Sequence, residues 1–229
     1  MRWFGLSWKK MIRPVCEIGS EFAYSPMENG EGFPFPREYP DFSLTFSGRT
    51  AIEAVLRQLP NVKKAMLPAY LCDSMIAPFR SRGIDCCFYD VSYEGELVIR
   101  AEIPEDADVL LWCNYFGYCN EMPDFSSFID RGGVIIEDIT HSLLSDTVFH
   151  EQSRYLAASI RKWEPVVCGG YCNIRIDNAA APSASFVKKK YDAMQLKAAY
   201  LQNTDEEMKP VFFGNLRMQT NGWLKTTVL

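Results

Sequence analysis

The sequence predicts an α/β fold, a mostly parallel sheet sandwiched by helices. Two observations carry that prediction. Compact apolar runs of strand length recur at 109–114, 134–136 and 155–159, as expected of strands buried on both faces. Segments of helical period alternate with them, such as Ala51, Ile52, Val55, Leu56 and Leu59. Alternating strands and helices fold into a parallel sheet covered on both sides.

Taken in order, the elements divide the chain into three regions. Residues 1–41 form an irregular arm. Gly30, Gly32, Pro34, Pro36 and Pro40 break both helix and ladder bonding, with Phe33, Phe35 and Tyr39 between them. The regular domain spans 42–202. Residues 42–46 lead into a Gly turn and a helix over 49–58. A short strand over 64–67 stops at Pro68. A helix follows over 70–82, closed by Gly83, and then a buried strand over 84–91. After an acidic loop (103–108) come the strand at 109–114, a helix over 125–130 ended by Gly132 and Gly133, and the strand at 134–136. Further strands are expected at 155–159 and 171–176, and a helix over 185–202 with Lys188, Lys189 and Lys190 on its solvated face. Residues 203–229 form a tail without strong period.

Composition excludes several classes of function. The 229 residues carry a net charge of −5, with 48% hydrophobic and 23% charged residues, so neither a nucleic-acid surface nor a membrane-spanning segment is expected. Trp3, Phe4, Leu6 and Trp8 are not followed by a continuous apolar core before Lys9 and Lys10. The segment is expected to pack on the domain or on a partner chain, not to act as a secretory leader. The eight cysteines include the adjacent Cys86 and Cys87, while Cys113, Cys119, Cys168 and Cys172 form no CxxC pair, and there are only 2 His. They read as small buried hydrophobes in a reducing, cytoplasmic setting, with no metal site.

Four places carry chemistry. Ser47-Gly48-Arg49-Thr50-Ala51 joins a strand to a helix start through a Gly turn, where backbone N–H groups and the helix dipole suit a phosphate; a plain capped helix is the alternative. Tyr70, after Pro68, can stack on a flat ring or serve as a packing aromatic. The apolar run into Glu137 and Asp138, followed by His141, marks a strand end facing a cleft. A buried carboxylate there needs a charged partner such as a protonated ring nitrogen, although a helix-capping Asp reads equally well. Lys162 lies three residues past Ser159, just beyond a strand end, where a partly desolvated amine can attack a carbonyl; a surface lysine is the ordinary alternative.

In this order the four places resemble the fold-type I enzymes that use pyridoxal 5′-phosphate (PLP), and within them the DegT/DnrJ/EryC1/StrS sugar aminotransferase family. The resemblance covers residues 42–176, the family's cofactor-binding large domain. Ser47 to Ala51 stand at the family's phosphate turn. Tyr70 stands at its ring-stacking aromatic and Asn114-Tyr115-Phe116-Gly117 at its H-x-[YF]-G motif. Asp138 and His141 match E-D-x-x-[QH], and Lys162 before Gly169-Gly170 matches the Schiff-base lysine. Three positions depart: Asn114 stands for the usual His, Cys168 for an acidic residue, and Arg49 is larger than usual in the turn. The resemblance implies that PLP is held by Gly48, Arg49, Thr50, Tyr70, Asn114, Asp138, His141, Ser159 and Lys162, with Lys162 and Asp138 catalytic. It also implies an aminotransferase working between an amino donor and a keto nucleotide-sugar as a homodimer. A lyase or dehydratase, or a chain without turnover that lacks the family's C-terminal small domain, are the alternatives.

Overall fold

A computed structural model of the protein describes residues 23–25, 42–117, 120–145, 149–176, 184–203, 207 and 210–211. In chain order its elements are β1 (Ser43–Thr45), α1 (Gly48–Arg57), β2 (Lys64–Pro68), α2 (Asp73–Ser81), β3 (Asp85–Tyr93), β4 (Leu97–Arg100), β5 (Val109–Cys113), α3 (Ser126–Asp130), β6 (Val134–Asp138), β7 (Tyr155–Ser159), β8 (Gly170–Cys172) and α4 (Ala184–Asn203). A single 3-10 turn, Ile160–Lys162, follows β7.

The strands form one sheet in the order β1-β8-β7-β6-β5-β2-β3-β4. The run β7-β6-β5-β2-β3 is parallel, while β4 and β8 are antiparallel to their neighbours. Because β8 is antiparallel to both β7 and β1, β1 points the same way as the parallel strands. The carboxyl ends of β1, β2, β5, β6 and β7 therefore lie along one edge. From β2 the chain moves outward to β3 and β4, then returns to the other side of β2 as β5. This reversal sets a topological switch point between the ends of β2 and β5, where open α/β sheets hold their ligands.

Alternate residues of β5 enter opposite layers, the period-2 signature of a strand covered on both faces. Val109 and Leu111 pack with Ala51, Val55, Leu56 and Phe79, under α1 and α2. Leu110 and Trp112 pack with Tyr89, Phe125 and Phe128, on the α3 side. Each such side chain removed from water stabilises the domain by about 1.5–3 kcal/mol. A third cluster under the β6–β7 connection joins Ile139, Leu143, Leu156, Ala158, Ile160 and Tyr171.

Several expectations are corrected here. The helix expected from residue 70 starts at Asp73, because the Tyr70 carbonyl, an early acceptor of that helix, instead takes the Tyr115 hydroxyl at 2.6 Å. β3 is not a buried strand: of its residues only Tyr89 is buried, since residues 90–93 pair with β4 alone and extend past β2. β4 was not anticipated. β8 ends at Cys172, short of residue 176. Lys188 and Lys189 are exposed as expected, but Lys190 is buried. It joins Ala193, Met194, Lys197 and Tyr200 on one stripe at i, i+3, i+4, i+7 spacing, along which an aliphatic lysine stem can pack. The Tyr24 ring meets Tyr191 on this helix edge-on, with ring centres 5.0 Å apart. Most of the arm (1–22 and 26–41) and most of the tail lie outside the described residues, as does Cys119. Six cysteines are described, all as free thiols. Among the described residues, no helix is long and apolar enough to cross a membrane, and no group of three His, Cys, Asp or Glu could hold a metal ion.

Candidate active site

Strand register brings the distant motifs together. Gly170 of β8 pairs with Thr45 on one side and Ser159 on the other, so the turn after β1 lies beside the end of β7. Contact is close: a Cβ on Gly48 would stand 3.1 Å from the Ser159 Cβ and 3.3 Å from its nitrogen. A side chain at residue 48 would push Ser159 back by a few tenths of an ångström, so glycine eases the approach of the α1 N-terminus to this strand end. Ser47 caps α1, accepting the Thr50 N–H at 3.3 Å while its own N–H donates to the Thr50 hydroxyl at 2.8 Å.

Thr140 links this corner to β6. Its N–H donates to Asp138 Oδ1 at 2.8 Å, its hydroxyl oxygen accepts the Ser159 N–H at 3.0 Å, and its carbonyl accepts the Trp163 indole N–H at 2.6 Å. Asp138, Thr140, Ser159 and the Trp163 side of the Lys162 turn thus form one hydrogen-bonded chain. Asp138 is buried, and burial pushes its carboxyl above the usual range; the Thr140 bonds and the charges of His141 and Lys162 oppose that rise. His141 is lowered, first by burial and further by Lys162, while Asp138 opposes. Lys162, Asp138 and His141 are therefore close enough to feel one another's charge. The His141 Nδ1 accepts the Phe116 N–H at 3.2 Å, which leaves the proton of the neutral ring on Nε2.

Aromatics close the β2–β5 side. Tyr70 and Phe116 are each 59% exposed, with ring centres 6.4 Å apart, and Phe116 stacks over His141 at 6.2 Å. Phe116 has φ +61°, a left-handed backbone that costs a bulky residue about 1–2 kcal/mol. Surroundings that over-determine such a residue are typical of binding sites.

The site differs from the sequence expectation in three ways. The Thr50 hydroxyl donates to the Ser47 carbonyl at 2.8 Å, so it serves the cap and not a ligand. Asn114 is buried behind the site, its amide donating to Glu137 at 2.5 Å and to Ser142 at 3.2 Å, while its own N–H holds the Asp138 carbonyl. Lys162 is exposed on its turn, not desolvated. Gly48, Arg49, Tyr70, Asp138, His141, Ser159 and Lys162 do converge on the carboxyl edge. Arg49 is lowered by burial and feels the charge of Arg161, a second cation absent from the sequence reading. The pairing of Glu137 with His150 was not anticipated either: their bond joins residues 13 apart across a loop, and no spacing rule reports it.

No family model and no curated sequence relative matches the chain. Among solved structures it is similar to an aminotransferase from Streptoalloteichus hindustanus, at 14% identity over 59% of this chain and 40% of that one, with a TM-score of 0.44. It is similar to a sugar aminotransferase from Micromonospora echinospora at 12% identity, covering 68% and 44% with a TM-score of 0.48. It is also similar to a NifS-like protein at 12% identity, covering 71% and 54% with a TM-score of 0.48. The chain spans about half or less of the length of these proteins. The likeness concerns the fold, a mostly parallel sheet flanked by helices, and assigns no role to any residue.

Proposed function

We propose that the carboxyl edge of the sheet holds PLP and that the chain is a PLP-dependent aminotransferase acting on a keto nucleotide-sugar. The observation that carries this reading is the buried Asp138 carboxyl, raised by its burial and set within electrostatic reach of Lys162 and His141. A carboxylate so placed is relieved by a cation, and a protonated pyridine nitrogen is one. The close approach of Gly48 to Ser159 fits the cofactor's other end, since it sets the α1 N-terminus, with its partial positive charge, against a serine at the strand end.

When bound, PLP supplies an electron sink for breaking bonds at an amino carbon. The residues of this chain do the rest. Gly48, Arg49 and Ser159 bind the phosphate. Asp138 holds the proton on the ring nitrogen. His141, with its proton on Nε2, donates to the ring oxygen, and Tyr70 covers the ring's face. Lys162 would hold the cofactor through its amine and, when that amine is free, would serve as the base that moves a proton at the substrate carbon. Asn114 and Thr50 act indirectly, the first by buttressing β6 and the second by capping α1.

The test is a half-reaction. Purified protein is mixed with PLP and an amino donor, and the solution is assayed for pyridoxamine phosphate. Stoichiometric conversion supports transamination, and breakdown of the donor without pyridoxamine phosphate would move the assignment to a lyase. The exposure of Lys162 favours a second reading, a chain that binds PLP without turnover, for which PLP is retained and no conversion occurs.

A further inference from the structure

Behind the aromatic side of the site lies a polar network that the proposed chemistry does not use. Glu137 is fully buried on β6, one residue before Asp138. Its carboxylate accepts the His150 N–H at 3.0 Å and the Asn114 amide at 2.5 Å; it pairs with His150 Nδ1 at 2.9 Å and also accepts the Ser153 hydroxyl. Among the described residues, the groups facing the His150 ring include Glu137 from β6, the Asn120 backbone from the β5–α3 loop and the edge-on Trp112 ring of β5.

Two loops meet here. Asn114, Phe116, Gly117 and Asn120 belong to the β5–α3 loop; His141, Ser142, Ser145 and His150 belong to the β6–β7 loop. Asn114 bonds Ser142 at 3.2 Å, Ser145 donates to the Gly117 carbonyl at 2.7 Å, and Phe125 N–H donates to Gln152 at 2.8 Å. Asn120 in turn accepts the Tyr115 N–H at 2.6 Å. Glu137 is the one carboxylate that reaches both loops in these bonds. The strained Phe116 backbone, whose N–H meets His141, is carried by this lacing.

We propose that Glu137 and His150 are positioning residues: the pair ties the two loops together and thereby holds His141 with its proton on Nε2, ready to donate to an acceptor oxygen of the ligand. The geometry stands without a ligand; the identity of that oxygen, on the PLP ring, rests on the function proposed above. Neither residue touches the ligand. They act through Asn114, Asn120 and Phe116 on His141.

The chain has 2 histidines, so nitrogen-15 histidine labelling of the whole protein yields two imidazole systems, both in this network. Without added ligand, the wild type is expected to show neutral His141 with Nε2 protonated over Nδ1 by about ten to one, the bias that one net hydrogen bond sustains. His150→Gln, half-buried at the network's rim, is expected to lower that ratio towards the weaker Nε2 preference of an unconstrained imidazole and to weaken PLP uptake about tenfold. Ser153→Ala, which removes one donor to Glu137, shifts the ratio in the same direction by less. A wild-type His141 protonated on Nδ1 or evenly mixed overturns the proposal before any variant is made, and so does an unchanged ratio in folded His150→Gln. If the ratio shifts as stated while wild-type protein takes up no PLP, the positioning role stands and the cofactor reading falls.

Discussion

Gly170→Ala tests the packing that assembles the phosphate corner. A methyl at Gly170 would overlap the Ser47 carbonyl carbon and oxygen and the Thr45 hydroxyl. The hydroxyl can rotate, but the Ser47 carbonyl cannot withdraw freely: it accepts the Ala51 N–H at 2.9 Å, the Thr50 hydroxyl at 2.8 Å and the Thr45 hydroxyl at 2.9 Å. The β1–α1 turn must therefore move away from β8. Overpacking against fixed backbone reaches about 3 kcal/mol, and a lost cap bond adds roughly 1 kcal/mol. For a chain of this length about 3–4 kcal/mol lowers Tm by roughly 6–16 °C. Gly83→Ala is the control. Gly83 has φ +71° with nothing within 4 Å of its would-be Cβ, so backbone strain alone acts there, about 1–2 kcal/mol. Urea and thermal unfolding of the two variants should rank them in that order, and PLP uptake should fall only in Gly170→Ala. A Gly170→Ala protein within about 1 kcal/mol of wild type would refute the packing argument.

Other variants probe the site. Asp138→Asn should separate stability from binding. Burial raises the folded-state carboxyl of Asp138, so its contribution to stability is present in full below the unfolded carboxylate value of about 3.9 and is lost as pH rises through the folded value. At neutral pH the ligand-free variant should be at least as stable as wild type in urea, while PLP binds about ten- to a hundredfold more weakly, the worth of one charged hydrogen bond. His150 is raised by its Glu137 partner, so its stabilisation is complete below about 6.5 and declines as pH rises through the higher folded value. Unfolding free energy measured against pH should show that decline in wild type and lack it in His150→Gln. Phe116→Gly should change stability by no more than about 1 kcal/mol, because relief of left-handed strain offsets the entropy of the new glycine; a larger loss in urea unfolding would show that the exposed ring has a packing role.

What the sequence revealed depended on whether a signal was local. β5, β6 and β7 were legible because strands covered on both faces are unbroken apolar runs, and α1 because its cap, Gly turn and period are contiguous. β4 was not, since Leu97–Arg100 pairs only at the sheet edge and needs no apolar run. Lys190 was misplaced because three consecutive lysines read as one solvated face, whereas burial on a helix follows i, i+3, i+4 spacing. The expectation that the residues after β2, β5, β6 and β7 lie along one edge of the sheet rested on the strand ends, which are local signals. Which way each side chain turns there was not legible: Asn114 goes to Glu137 and Thr50 to its own cap, both satisfied by partners that position in the sequence does not disclose.

The central claim is that the Lys162 amine shares a pocket with Asp138 and the Gly48 turn and captures PLP there. The most direct measurement is to incubate the whole protein with PLP, reduce with borohydride, digest, and locate the phosphopyridoxyl label by mass spectrometry. The account predicts one dominant label, on the peptide carrying Lys162, absent in Lys162→Ala and reduced in Asp138→Asn. A label spread over surface lysines, or one that persists unchanged in Lys162→Ala, contradicts it.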